Sequence, residues 1–303
     1  MRSSIFSYAT TDSSIAMIDD RFCVLVNSSD RARDIFEIVF RNAEDMWRDC
    51  EWPRFAGFTG PQPELYGFRS VAAKGPSDWR GELAAQLDAL PPAIEYVLRL
   101  DEDAFASFPV DGRKLNDVAA LILRGNLAYV KLLPVARSLF GRAVEYFRRK
   151  FSKLPLRPIA FTEPYYCSLV PSIWKRSHLR EILRKPGSVW DFELTVTNER
   201  HFAVWEPVLD LDHIVTKGRW SRNAARLLAR QSIDLGKPKR GVQSLGSWLR
   251  QRRERLSFIL FGFLGFRIRR RFNRLPHIPK DLKRDEFGLA AENDQPHRNV
   301  AGG

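Results

Sequence analysis

Three short stretches of the 303-residue chain carry residues whose type and spacing suit chemistry. The first is Asp101-Glu102-Asp103, which follows directly on the apolar run Tyr96-Val97-Leu98-Arg99-Leu100. Two carboxylates at i and i+2 on a loop face one hard divalent cation, and Mg²⁺ or Mn²⁺ held this way keeps positions open for phosphate oxygens. Such a cation neutralises the charge that develops on a diphosphate leaving group. The alternative is a solvated acidic turn. The second stretch is Trp190-Asp191-Phe192-Glu193. A carboxylate beside two aromatic rings sits in a partly apolar pocket, which raises its pKa and suits it to general-base work. The alternative puts the rings in the core and the acids in water. The third is Lys217-Gly218-Arg219-Trp220. Gly218 permits close backbone approach, and Lys217 and Arg219 are placed to clamp a diphosphate. An ordinary solvated loop is the alternative. His213, just upstream, is a candidate metal ligand or phosphate donor, or a structural histidine. The chain holds no P-loop, no dinucleotide-binding glycine motif, no HExxH, no GxSxG and no paired Cys/His zinc pattern.

The elements that must position these residues alternate in type. Residues 22–27, FCVLVN, read as a strand ending at Ser28-Ser29-Asp30, followed by a helix with Ile35, Phe36, Val39, Phe40 and Ala43 on one face. RFAGF (54–58) reads as a second strand. SDWRGELAAQLDAL (77–90) reads as a helix capped by Ser77 or Asp78. Residues 96–100 form a strand, 114–125 a helix closed by Gly125, and 127–134 another strand. Beyond these, 159–170 read as strand and turn, 172–188 as a helix, 190–202 as helix or turn at its start, 204–215 as strand and 221–233 as a helix. The alternation predicts an α/β fold: an open, mostly parallel sheet flanked by helices, with ligands at the carboxyl ends of its strands.

Composition sets the outer limits. The chain is 44% apolar, 12% aromatic and 28% charged, which excludes a disordered chain and a multi-span membrane protein. Cys23, Cys50 and Cys167 are widely spaced, which argues against a disulfide scaffold and fits a reducing compartment. With no apolar leader and no run of 18 apolar residues, a cytoplasmic location is expected.

The net charge of +13 is local. Residues 237–284 hold 15 Lys/Arg and two acids, so the remainder of the chain is neutral. Within them, 247–274 place the apolar stretch Leu256 to Phe266 between arginine clusters. Too short to span a bilayer, this stretch suits an anionic membrane surface, on the inner face of the cell membrane. The alternatives are a core helix with a basic rim and an RNA-binding arm. The neutral body argues against nucleic acid as a partner. The expected organisation is a domain over 18–235, a basic amphipathic helical extension over 236–284 and a disordered tail over 285–303.

The order VLVNSSDR, LRLDEDAF, PYYCSLVPSIWKRSHLREILRKPGSVWDFE and HIVTKGRW, spanning about residues 20–230, resembles a family of bacterial GT-A-fold glycosyltransferase-like proteins of cell-surface polysaccharide synthesis. The resemblance implies a GT-A-like (Rossmann-like) fold, a nucleotide-sugar donor, a glycan or lipid-linked acceptor and a Mn²⁺ or Mg²⁺ site. It implies Asp101 and Asp103 as the metal-diphosphate pair, with His213 as a further candidate ligand. It places Asn27, Ser28 and Asp30 at the nucleotide, and Lys217, Arg219 and Trp220 over the diphosphate or acceptor. Glu193, or Asp191, is implied as the acceptor-activating base. Two other readings remain: a nucleotidyltransferase, and a catalytically silent membrane-associated scaffold or adaptor.

Overall fold

The computed structural model describes residues 21–28, 32–58, 66–72, 78–134, 139–152, 154–160, 166–193, 199–216, 218–230 and 240–254, with a few single positions between them. Strand β1 (Phe22–Asn27) starts the sheet, and helix α1 (Arg33–Met46) packs behind it. β2 (Arg54–Phe58), β3 (Phe68–Ala72), α2 (Trp79–Ala89), β4 (Tyr96–Asp101), β5 (Ala104–Ala106), α3 (Gly112–Gly125), β6 (Tyr129–Lys131) and α4 (Leu139–Phe151) follow. Then come β7 (Arg157–Pro158), β8 (Ser172–Lys175), α5 (Arg176–Leu183), α6 (Val189–Glu193), β9 (His201–Ala203), β10 (Leu211–His213), β11 (Val215–Thr216), β12 (Arg219–Trp220) and α7 (Arg222–Arg230).

Eight strands form one sheet in the order β3-β2-β1-β4-β8-β6-β9-β7. It is mostly parallel; β8 and β7 run against the rest. Both faces are apolar, as buried parallel strands require. Phe22, Val24 and Val26 of β1 join one core cluster with α1 and α3, while Cys23 and Leu25 join the other with α2 and α5. Two ribbons stand off the sheet: β5 pairs antiparallel with β10, and β11 with β12.

The helices end where local chemistry dictates. Asp78 caps α2 by accepting from Gly81 N at 2.6 Å, as expected. Asp111 does the same for α3, and that helix closes at Asn126 in the left-handed region rather than at Gly125. The main departure is Ser172-Ile173-Trp174-Lys175, expected as the start of a helix and found as β8. Its residues pair with β4 on one side and β6 on the other, and Ile173 and Trp174 are fully buried. Burial between two strands outweighs the helical spacing that continues into α5. The expected strand over 204–215 is shorter, reduced to β10 and the start of β11. β3, α4 and β9 were not anticipated.

One polar cluster is sealed in the core between α5 and β9. His201 Nδ1 lies 3.0 Å from the Tyr166 carbonyl, so Nδ1 carries the proton and Nε2 accepts. His178 Nε2 therefore donates to His201 Nε2 at 3.0 Å, and His178 Nδ1 is left buried without a partner. Tyr166 stacks on His201 at 4.3 Å. Burial holds both imidazoles neutral, pushing His201 down to about 4 and His178 below its ordinary value.

Because the folded pKa values are depressed, the unfolded chain takes up protons first as pH falls. The contribution of the neutral pair to stability is expected to be fully present above about pH 6.5 and to decline toward pH 4; the His201 shift alone corresponds to about 3 kcal/mol. Urea midpoints measured from pH 7 to pH 4.5 check this, and His178→Gln should flatten the acid limb. Midpoints independent of pH over that range would refute the neutral pair.

Candidate active site

β1 and β4 are parallel neighbours in register, with Asn27 opposite Asp101, so the nucleotide end and the acidic triplet expected from sequence meet at one sheet edge. Adjacent strands lie roughly 4.8 Å apart. This is the carboxyl edge, where ligands of open α/β sheets bind.

The three acids of the triplet have different surroundings. Asp101 accepts from Arg99 Nη2 at 2.5 Å, and that guanidinium is buried and also donates to the Leu169 carbonyl at 2.8 Å. Asp103 accepts from His213 Nδ1 at 2.9 Å. The register of β5 with β10 sets this contact, since His213 faces Ala104, and Ile214 N donates to the Asp103 carbonyl at 3.1 Å. The bond to Asp103 holds the His213 imidazole above its ordinary pKa against partial burial, with further help from Asp101. Glu102 lies between them. Burial pushes its carboxyl up, and Asp101 and Asp103 push it further, against a backbone hydrogen bond.

An open cleft of about 310 Å³ lies beside this loop, within the size range of small-molecule sites. Glu102 and Asp103 line it together with Ala32, Ile35, Val215, Gly218 and Arg240. Ala32 is the N-cap of α1 and offers no side-chain cap, so the first-turn N–H groups of α1 lack that usual acceptor. A helix start of this kind suits an anion. Gly218 lies in the turn of the β11–β12 hairpin with φ +74°, a conformation glycine adopts freely. Arg240 meets Asp34 of α1 through a fork, Nε to Oδ2 at 2.8 Å and Nη2 to Oδ1 at 3.2 Å.

Arg240 and Glu102 were not anticipated as site residues. Arg240 lies in the basic segment that reads as an extension. The start of that segment is tied to the body: Val242 bridges Trp220, Trp220 N donates to the Gly241 carbonyl at 3.1 Å, and Gln243 N donates to the Trp220 carbonyl at 2.8 Å. Glu102 was passed over as the middle of the Asp-x-Asp pattern, and its burial has no local sequence signal.

Other expected site residues fall elsewhere. Asn27 Nδ2 donates to Gln86 Oε1 at 2.6 Å, and Gln86 Nε2 reaches the Ser28 carbonyl at 3.4 Å. Ser28 Oγ is buried without a partner. Asp30 and Lys217 lie outside the described residues. Arg219 is exposed on the hairpin. Trp220 is 2% exposed and belongs to the core, so its ring holds the hairpin in place and does not cover a ligand.

Asp191 also departs from expectation. It is exposed and accepts from Ser188 N at 2.5 Å and Ser188 Oγ at 2.7 Å, which holds its carboxyl below the usual value. A base needs the opposite shift. Phe192 is fully buried between Trp79 and Trp174. Arg80 fixes α6 by bonding the carbonyls of Gly187 and Ser188. Glu193 lies at the end of α6 within electrostatic reach of Tyr129, and neither it nor Asp191 lines the cleft.

Among the described residues, no group of three or more His, Cys, Asp or Glu side chains is arranged to hold a metal ion. Asp103 and His213 are together, while Asp101 turns to Arg99. Asp103, which lines the cleft, and His213 beside it are donor types that a hard divalent cation accepts.

The fold and site are those of a mixed α/β protein with an acidic loop at the carboxyl edge of a mostly parallel sheet. No family model matches the chain, and no curated protein matches it. Among solved structures it is similar to 4-diphosphocytidyl-2C-methyl-D-erythritol synthase from Anaerococcus prevotii, at 12% identity and TM-score 0.40, over 72% of this chain and 99% of that one. It is also similar to S. aureus TarS 1-349, at 11% identity and TM-score 0.37, over 62% of this chain and 59% of that one.

The packing of Gln86 against the end of β1 depends on Gly57. A Cβ there would lie 2.2 Å from Gln86 Cδ and Oε1, and Gln86 is fully buried. Gly57→Ala is therefore expected to displace Gln86 from Asn27 and to cost about 1–3 kcal/mol. A lowered urea midpoint, partly recovered when Gln86→Ala is added, is the expected reading. An unchanged midpoint would refute the packing argument.

Proposed function

We propose that the protein is a transferase that takes a sugar from a nucleotide-diphosphate donor and passes it to a cell-envelope glycan or lipid-linked acceptor. The observation that carries this reading is the cleft where the Asp101–Asp103 loop faces the start of α1, the Gly218 turn and Arg240. The carboxylates of its lining suit a divalent cation, and Arg240 with the first-turn N–H groups of α1 suits phosphate oxygens. A diphosphate with its cation satisfies both.

In this reading Asp103, with Asp101 and His213 beside it, would hold Mn²⁺ or Mg²⁺, and the cation would offset charge on a departing diphosphate. Arg240 exchanges Asp34 for a phosphate oxygen, a better partner for its planar fork. Glu102 is the cleft carboxylate whose raised pKa suits proton removal from the acceptor hydroxyl. This assignment replaces Asp191 and Glu193, which do not line the cleft.

A thermal-shift panel of UDP, GDP, CMP and their sugar conjugates, with and without Mn²⁺, tests the donor class. A ligand at 100 times its Kd stabilises by about 2.7 kcal/mol. Asp103→Asn is expected to lose the metal-dependent shift and sugar transfer together. Glu102→Gln should keep the shift while transfer falls by about 10²-fold or more. Glu193→Gln should leave both intact. No shift with any nucleotide would refute the proposal in favour of the scaffold reading, and a product carrying the nucleotide itself would favour a nucleotidyltransferase.

A further inference from the structure

Helix α4 presents an apolar stripe that nothing in the transferase reading uses. Phe147 is 59% exposed, Tyr146 66%, Phe151 81%, and Leu154, just past the helix end, 54%. Phe147 and Phe151 are four apart and share one face, with exposed Ala143 one turn before them. Tyr146 and Phe147 touch edge to face at 5.9 Å. The opposite side of the helix is anchored through Glu145, which pairs with Arg157 at 2.9 Å, both nearly buried.

Bases interrupt the stripe. Arg148 and Lys150 are exposed between the aromatic residues. Arg149 is engaged by Glu206. The two acids nearest this surface, Glu145 and Glu206, are thus each held by an arginine, and the exposed rim is cationic. Large aromatic residues in water are costly, and a cluster of them marks an interaction site.

We propose that the C-terminal half of α4, with Leu154, docks the protein onto an anionic lipid surface. Two arguments favour lipid over a second copy of the chain. The three rings offer on the order of 400 Å², at about 200 Å² for a whole aromatic side chain, and a stable protein interface needs roughly 800 Å² per partner. A two-fold contact through the stripe would also bring two cationic helix ends, each with exposed Arg148 and Lys150, close together. A bilayer interface needs only that the rings enter the boundary between headgroups and acyl chains while the bases meet lipid phosphates. These residues lie outside 247–274 in the sequence, and the inference is independent of the transferase reading. Among the described residues no helix is long and apolar enough to cross a membrane, so this contact lies along the surface.

The test uses the full chain and sedimentation with phosphatidylcholine vesicles, with and without about one-third phosphatidylglycerol. Binding is expected only to the anionic vesicles. Phe147→Glu with Phe151→Glu should lower the partition coefficient by about tenfold or more. Arg148→Ala and Lys150→Ala should each lower it about fivefold. These positions are exposed, so the melting temperature should not move. A second readout is direct: Cys23, Cys50 and Cys167 are buried, so Ala143→Cys can be labelled alone with an environment-sensitive dye. Its emission should shift to the blue on anionic vesicles. Unchanged binding by the double variant, or an unshifted dye on saturating vesicles, would overturn the proposal. So would light scattering that finds a dimer in the parent chain and a monomer in the double variant, which would make the stripe a contact between copies.

Discussion

Arg99 is a full positive charge on the core side of β4, and the rest of the site is arranged around the need to balance it. Its side chain is 4% exposed. A buried guanidinium without partners is untenable, so its neighbours are constrained. Asp101 supplies the opposite charge and the Leu169 carbonyl a second acceptor. The first bond turns Asp101 back along its own strand. The second pins the chain just before β8, the strand that lies antiparallel beside β4. The acidic loop and the strand order are therefore coupled through one side chain. With Asp101 turned back, Asp103 is left to face His213, and Glu102 is left at the cleft with a raised pKa.

The cleft is assembled from segments far apart in sequence, and its lining mixes carboxylates with an arginine. The acidic lining comes from the end of β4. Other lining comes from the start of α1 and from the chain after α7, with Arg240 meeting Asp34 across 206 residues. β10 and the β11–β12 hairpin connect them: His213 closes the acidic loop, Gly218 opens the turn, and Trp220 anchors the hairpin in the core. The basic segment reads as an appendage, yet its first residues complete a strand-like contact with Trp220 and deliver a cation to the site.

What was legible in the sequence follows from local physics. β1, β2, β4, α2 and α3 are visible because their apolar patterning, and for α2 the Asp78 cap, are local signals. So is the placement of Asp101–Asp103 at a strand end, since the run YVLRL leads straight into it. β8 was not legible, because Ile173 and Trp174 owe their strand state to neighbours on both sides. Trp190-Asp191-Phe192-Glu193 misled for a related reason. A carboxylate next to aromatic residues in sequence need not lie next to them in space: Phe192 turns into the core while Asp191 turns out to Ser188. Arg240 and Glu102 depend on tertiary contacts alone.

The histidines carry the same lesson. His213 and His201 have identical intrinsic chemistry and opposite shifts. His213 gains a carboxylate and is held toward its protonated form, so the pair adds stability below about pH 6.5 and loses it as pH rises through the elevated value. His201 gains a carbonyl, a second imidazole and a stacked phenol, none of which stabilises a cation as a carboxylate does, so burial wins and the ring stays neutral. The first adds to the electrostatics of an acidic loop at an open edge. The second is a sealed packing element between α5 and β9, and its pH dependence concerns folding. Perturbed titration marks both, so perturbation alone does not identify a site. The deciding facts are that Asp103, the partner of His213, lines a cleft large enough for a ligand, and that His201 is fully buried.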